Sequence, residues 1–275
     1  MPDTKPNLLI TDIDGTLIRQ STFEQMIAYL VREGVWNMPP AIQAELEQIR
    51  RARQYRETSD GFDRELARWV RAVDESMVWR RLSEDVFRDA CLHAAEQCAG
   101  RCYAFTRAVV VAARELRLYR TVALSQSPSV AIQRFAELEP HVFDYAYGTI
   151  YHAENGKLTG VRTLADKLTL TLGELTRLGE PGSFDCVAMG DTAADIPMLK
   201  QATHAIAFNP SDALLEEARR SRFGVVFERK NSILILHPDA NACLREVHLH
   251  RILPRMMVYR VRQLLKERGF SIFPD

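Results

Sequence analysis

Residues 7–19 read NLLITDIDGTLIR. An apolar run ends in two acids one residue apart, Asp12 and Asp14, and Gly15 and Thr16 then break it. The run predicts a short buried strand over residues 7–12. Like charges this close repel, and a carboxylate beside a core costs free energy unless something pairs with it. Solvated acids in a turn or helix cap are one explanation. A cation site containing a nucleophile is the other, and the rest of the chain has to choose.

The 275 residues suffice for one large domain or two small ones. At 47% hydrophobic and 26% charged, the composition is that of a globular protein. Lys+Arg and Asp+Glu both total 36, so no net field favours nucleic acid or a membrane surface. Only six of the basic residues are lysines, so a lysine beside a motif stands out. No apolar stretch approaches the roughly 20 residues that span a bilayer. No export signal is visible, and five cysteines without framework spacing suggest a reducing compartment. The expected location is cytoplasmic, and the expected state a monomer or homodimer. Cys91, Cys98 and Cys102 would lie near one helix face, where small buried apolar residues are the ordinary reading.

From about Thr22 to Gly100, apolar residues recur at helical spacing on a charged background in TFEQMIAYLVREG, AIQAELEQIRRARQY, FDRELARWVRAV and LSEDVFRDACLHAAEQC. Pro39-Pro40 and Ser59-Asp60-Gly61 punctuate them. The pattern then alternates. AFTRAVVVAARELRLY, SVAIQRFAELE, LADKLTLTLGELTRL and AADIPMLKQA read as helices; TVALSQS, CVAMGD, HAIAFN and FGVVF read as strands. FDYAYGTIY and KLTGV flank Asn155-Gly156, a strong hairpin signal. The expected fold is α/β: a Rossmann-like, doubly wound, mainly parallel sheet with an inserted all-helical domain. Its α/β core would comprise residues 1–18 plus 103–275, and the helical domain residues 19–102.

Such sheets bind ligands beyond the carboxyl ends of their strands. The first strand ends in Asp12 and Asp14, the next in Ser125-Gln126-Ser127, and CVAMGD in Asp191, with Asp195 four residues on. Ser127 or Asp191 alone could cap the helix that follows. Several acids on one edge are better explained by a hard cation such as Mg2+, which prefers oxygen ligands. An ionised Asp is also a competent nucleophile toward phosphorus.

These residues carry a resemblance. DIDGTL, Ser125 at the end of an apolar strand, Lys167 in ADKLTLTL and GDTAADIPML resemble, in order, the four motifs of the haloacid dehalogenase superfamily. The helical insertion and the later hairpin are similar to its phosphoserine phosphatase branch. The resemblance implies a Mg2+-dependent phosphatase that hydrolyses a small phosphate monoester through an aspartyl-phosphate. Asp12 would be nucleophile and metal ligand. Asp14 would be the general acid and base and would bind the metal through its carbonyl; Asp191 would be the third ligand. Ser125, Gln126 and Lys167 would hold the phosphate, and Asp195 would orient a metal-bound water or Lys167.

Asp14 favours phosphoester hydrolysis over dehalogenation, which needs no proton on a leaving oxygen. A phosphomutase or phosphotransferase of the same superfamily is the alternative. A phospho-Asp signalling module is a further one, although such modules are shorter and lack a large cap. The branch's amino-group Glu corresponds here to Ser21, and its carboxylate-binding Arg to Trp69. L-Phosphoserine is therefore expected to be a poor substrate, its charges left unpaired. Phe62 and Trp69 are candidates for an apolar substrate wall. The basic, apolar C-terminal segment is expected to pack on the core domain, and Lys157 to be solvated.

Overall fold

A computed structural model describes residues 7–55, 62–76, 78–139, 142–179 and 183–273; side chains 52–55, 62, 78 and 81 also lie outside the description. Strand β1 (Asn7–Asp12) is followed by four helices, α1 (Thr22–Arg32), α2 (Pro40–Tyr55), α3 (Phe62–Glu75) and α4 (Glu84–Cys98). The chain continues through α5 (Ala104–Leu116), β2 (Tyr119–Pro128), α6 (Ser129–Leu138), β3 (Tyr145–Glu154), β4 (Lys157–Thr163), α7 (Lys167–Leu178) and β5 (Cys186–Gly190). It closes with α8 (Ile196–Leu199), β6 (His204–Phe208), α9 (Asp212–Ser221), β7 (Gly224–Arg229), β8 (Ser232–Pro238), β9 (Leu244–Glu246), α10 (Arg255–Glu267) and β10 (Ser271–Phe273).

The strands form one sheet in the order β10-β8-β7-β6-β5-β1-β2-β3-β4, with β9 on β8. Every neighbouring pair from β3 to β7 is parallel, and the hairpins β3–β4 and β7–β8 are antiparallel. β1 is apolar on both faces, as a central parallel strand must be. Leu9 packs into the layer of α5, α6 and α10 with Phe105, Phe135 and Met257. Leu8 and Ile10 pack into the opposite layer with Leu178, Met198 and Leu214, from α7, α8 and α9. The chain adds β2 and β3 on one side of β1, and β5, β6 and β7 on the other. The switch point therefore falls at β1, where open α/β sheets place their ligands.

Helices α1–α4 share their own apolar cluster, including Met26, Leu30, Leu46, Trp69, Val73 and Ala90. Ala131 of α6 and Leu158 of β4 join it, so the insertion rests on α6 and on the β3–β4 hairpin. The two crossings between insertion and sheet run side by side. Ile18 bridges Cys102, and the Tyr103 N–H donates to Leu17 O at 2.8 Å. The Ser59-Asp60-Gly61 break lies outside the described residues. At the hairpin tip Asn155 and Gly156 take φ values of 50° and 73°, as the dipeptide predicts.

Some details differ from expectation. AADIPMLKQA forms only a 3-10 turn over Ala193–Asp195 and the single turn α8. Pro197 cannot donate to an upstream carbonyl, and the Asp195 carboxylate takes the N–H groups of its own loop instead. Helix α5 stops at Leu116 because Arg117 turns left-handed, φ 55°, and Tyr119 already belongs to β2. Neither Ser127 nor Asp191 caps a helix: Pro128 precedes α6, and Thr192 caps the 3-10 turn. The C-terminal α10 packs on the core through buried Met257, Val261 and Leu265. Lys157 is exposed. Among the described residues no helix is long and apolar enough to cross a membrane.

Candidate active site

Register brings the acids together. Thr11 of β1 pairs with Met189 of β5, so Asp191 emerges beside the end of β1. Asp12 pairs with Leu124 of β2, so Ser125 lies one residue beyond it. Strand alternation turns Asp12 toward the α7 face, where Lys167 opens that helix. Lys167 Nζ donates to Asp12 Oδ1 at 2.6 Å and to Asp195 Oδ1. Both Asp12 and Lys167 are buried, and Asp195 is fully so.

Burial is the largest influence on Asp12 and pushes its carboxyl up to about 7; Lys167 opposes this, while Asp195 and Asp14 add to the rise. Burial acts to lower the Lys167 ammonium, but Asp12 and Asp195 outweigh it and hold the group protonated above its ordinary range. Asp195 is committed on both sides. Its Oδ2 accepts the N–H groups of Asp191 at 3.1 Å and Thr192 at 3.0 Å, fixing the loop that carries Asp191.

Carboxylate oxygens of Asp12, Asp191 and Asp195 lie within 4.8 Å of one another. Oxygen-only donors suit a hard divalent cation. The backbone is shaped around them. Gly15 has φ +89°, and a Cβ there would meet Asp191 Oδ2 at 2.1 Å. A Cβ on Gly190 would lie 2.3 Å from Asp195 Cβ. Thr16 Oγ1 donates to Asp191 Oδ1 at 3.1 Å. Cys91, Cys98 and Cys102 join no such group among the described residues.

The Asp14 side chain points elsewhere. Its Oδ1 accepts the N–H of Thr22 at 2.5 Å and the Thr22 hydroxyl at 2.9 Å. Its Oδ2 accepts the hydroxyls of Ser125 and Ser127, each at 2.8 Å. The first residue of α1 is thus tied to the tip of β2 through one carboxylate. The sequence reading gives Thr22 no role and treats Ser127 only as a strand-end residue or helix cap. Ser127 could have been found, because it shares a strand face with Ser125 two residues away.

A cavity of about 540 Å³ opens over the cluster, bordered by Asp12, Asp14, Ser125, Gln126, Lys167 and Asp191 below and by α3 above. Gln126 is exposed there. Trp69 borders the cavity but is fully buried, edge-on to Phe23 with ring centroids 5.5 Å apart. The side chain of Phe62 lies outside the described residues. Asp63 of α3 was not anticipated: its Oδ2 accepts the Ser211 hydroxyl at 2.7 Å and the Ala193 N–H at 3.3 Å. Burial raises its carboxyl above the usual range. No sequence signal marks Asp63, because both partners are distant in the chain.

A family model described as haloacid dehalogenase-like hydrolase matches residues 9–200. No curated protein matches the sequence. Among solved structures, a protein of unknown function from Bordetella pertussis Tohama I matches with a TM-score of 0.58 and 18% identity, over 81% of this chain and 98% of that one. A HAD family hydrolase from Salmonella enterica subsp. enterica serovar Typhi matches at TM-score 0.51 and 18% identity, over 78% and 68% of the two chains. A phospho-aspartyl intermediate analogue of phosphoserine phosphatase matches at TM-score 0.50 and 19% identity, over 82% and 95%. At these identities the likeness is one of fold. The family match runs from β1 through α8, across all the strands that carry the acids, and the chain belongs to the haloacid dehalogenase-like hydrolases.

Proposed function

We propose that the protein is a Mg2+-dependent phosphatase acting on a small phosphate monoester, with Asp12 as the nucleophile. The observation that carries this reading is the buried Asp12–Lys167–Asp195 array beside Asp191, at the switch point of the sheet. Asp12, Asp191 and the Asp14 carbonyl would hold the cation, which would neutralise phosphate charge and keep Asp12 ionised despite its burial. Asp12 Oδ attacks phosphorus in line with the leaving oxygen, forming an acyl phosphate while the ester P–O bond breaks. Asp14 donates a proton to the departing alkoxide and later takes one from the water that attacks phosphorus. Lys167 stays protonated and draws negative charge from the phosphate, with Asp195 holding it in place. Ser125 and Gln126 border the space for the phosphate oxygens.

In this reading residues 19–102 form a cap domain over the core of residues 1–18 and 103–275, and the paired crossings at Ile18 and Cys102 are its hinge. A closed cap keeps bulk water from the nucleophile. L-Phosphoserine would bind poorly. Ser21 spends its hydroxyl on the Glu24 N–H at 3.3 Å, and Trp69 offers no charge. Five free cysteines accord with a reducing, cytoplasmic setting.

The test is phosphate release from phenyl phosphate by wild type, with Mg2+ and after chelation, against Asp12→Asn. Turnover that needs both Mg2+ and Asp12 supports the reading. Undiminished turnover by Asp12→Asn, or a stable phosphoprotein without turnover, refutes it.

A further inference from the structure

About three turns of α3, from Asp63 to Asp74, line the cavity, and the helix serves as a ruler. Asp63, Leu66, Val70, Arg71 and Asp74 all border it, recurring at one-face helical spacing. Asp63 is fixed to the loop after β5, beside the acid cluster, through Ala193 and Ser211. At 1.5 Å per residue, Arg71 lies about 12 Å and Asp74 about 16 Å farther along the helix axis. The wall between is apolar: Leu66, Val70 and Phe23, backed by Trp69.

The far end carries a surplus of positive charge. Asp74 accepts Arg162 Nη1 at 2.7 Å and Nη2 at 2.5 Å, and also the Trp79 indole N–H at 3.0 Å. Tyr151 hydrogen-bonds the same guanidinium. Arg162 is thereby held by two groups from two elements, Asp74 of α3 and Tyr151 of β3, and three donors already occupy the Asp74 carboxylate. Arg71 is exposed and has no carboxylate partner among the described residues. Arg71, Arg162 and Asp74 all border this end of the cavity, and together they carry a net charge of about +1. Nearer the acid cluster, Ser21 and Trp69 are neutral.

We infer that the leaving group is elongated, apolar in its middle, and anionic at its far end, with Arg71 and Arg162 receiving that anion. This rests on the phosphatase reading of the same site. The anion could be a carboxylate or a second phosphate, and both present oxygens that suit a guanidinium fork. Along α3, Arg71 lies about two helical turns and Asp74 about three beyond Asp63, so short charged esters held at the acid cluster do not reach the charge clamp.

The experiment compares kcat and KM, with Mg2+, for phenyl phosphate, octyl phosphate, 8-(phosphonooxy)octanoate and octane-1,8-diyl bisphosphate, using wild type and Arg71→Gln. At least one anion-tailed ester is expected to exceed octyl phosphate in kcat/KM by roughly tenfold, mostly through KM. Its preference should shrink at high salt. Arg71→Gln should lower the ratio of tailed to untailed kcat/KM at least threefold. Which tailed ester wins identifies the anion, after allowing for two equivalent ends in the bisphosphate. If wild type turns over the untailed esters and shows no preference for either tail, the inference fails and the phosphatase reading stands. A preference that Arg71→Gln leaves intact also overturns it. If no ester is hydrolysed, the phosphatase reading fails and takes the inference with it.

Discussion

Asp14 shows how much one side chain is asked to do. Four contacts hold its carboxylate: the Thr22 N–H, the Thr22 hydroxyl and the hydroxyls of Ser125 and Ser127. In the proposed role of general acid, Asp14 matters most when the leaving oxygen is a poor leaving group. Asp14→Asn should lower kcat for octyl phosphate by about 10² to 10⁴. It should lower kcat/KM, which reports formation of the acyl phosphate, much less for 4-nitrophenyl phosphate, whose phenolate leaves without a proton. For both esters kcat falls, because hydrolysis of the shared acyl phosphate needs the same carboxylate. Steady-state kinetics on the two esters check this, and equal losses in kcat/KM would remove Asp14 from protonation of the leaving group. Asp12, Asp14, Asp191 and Asp195 are legible in the sequence because each lies at a strand end or in a short acid-rich motif. The need for Gly15 and Gly190 is legible only in the fold, where Asp191 and Asp195 occupy the space a Cβ would take. Asp63 is illegible for the same reason: its partners meet it only when the insertion lies on the core.

At the level of elements, the two crossings between the helical insertion and the sheet are anchored by one buried acid. Glu228 of β7, fully buried, accepts the N–H groups of Ala104 at 3.1 Å and Phe105 at 2.8 Å at the start of α5. The same carboxylate accepts Arg19 Nη2 at 2.8 Å. Arg19 lies on the outgoing crossing and Ala104 just past the returning one, so Glu228 ties both to the sheet. Helix N-termini favour such anions, and charge-assisted bonds are the stronger kind. Glu228→Gln keeps the shape but sets an NH₂ group against N–H donors. It should cost about 2–4 kcal/mol of stability, read as a lower denaturant midpoint at unchanged m. A midpoint equal to wild type would show that Glu228 anchors nothing. The elements around the acids follow from period and punctuation, since β1, β2, β5 and α1–α7 have clear apolar patterns. The sequence reading does not place β8, β9, β10 or α9. SILILHP is a short apolar run that closes on Pro238 and could be strand or buried helix, and α9 is charged on most faces, with Leu214 and Ala218 its buried apolar residues.

For the whole molecule, the sheet order follows from tertiary pairing rather than from any local pattern. Alternating strands and helices predict a parallel sheet, but not that β10 returns to pair with β8, or that α10 covers α5. The integrated fold also sets a pH response. His204 opens β6, half-buried, and burial lowers its imidazole below the usual value, against smaller opposing effects from Asp185 and the Ile252 backbone. A depressed histidine favours the neutral form in the folded state. Its contribution is therefore intact above the unfolded value near 6.5 and is lost as pH falls below that toward the folded value. Between pH 7.5 and 5.5, wild type should lose more stability than His204→Gln, measured by denaturant unfolding at each pH. A parallel pH dependence for the two proteins would contradict this.

In the proposed reaction Asp12 carries the phosphoryl group during turnover. Quenching the enzyme with Mg2+ and phenyl phosphate, then reducing with borohydride and mapping peptides by mass spectrometry, tests it most directly. Reduction of an acyl phosphate on Asp12 should leave homoserine at position 12, dependent on both Mg2+ and substrate. Phosphate release with homoserine absent from position 12, or found at another acid, would contradict the account.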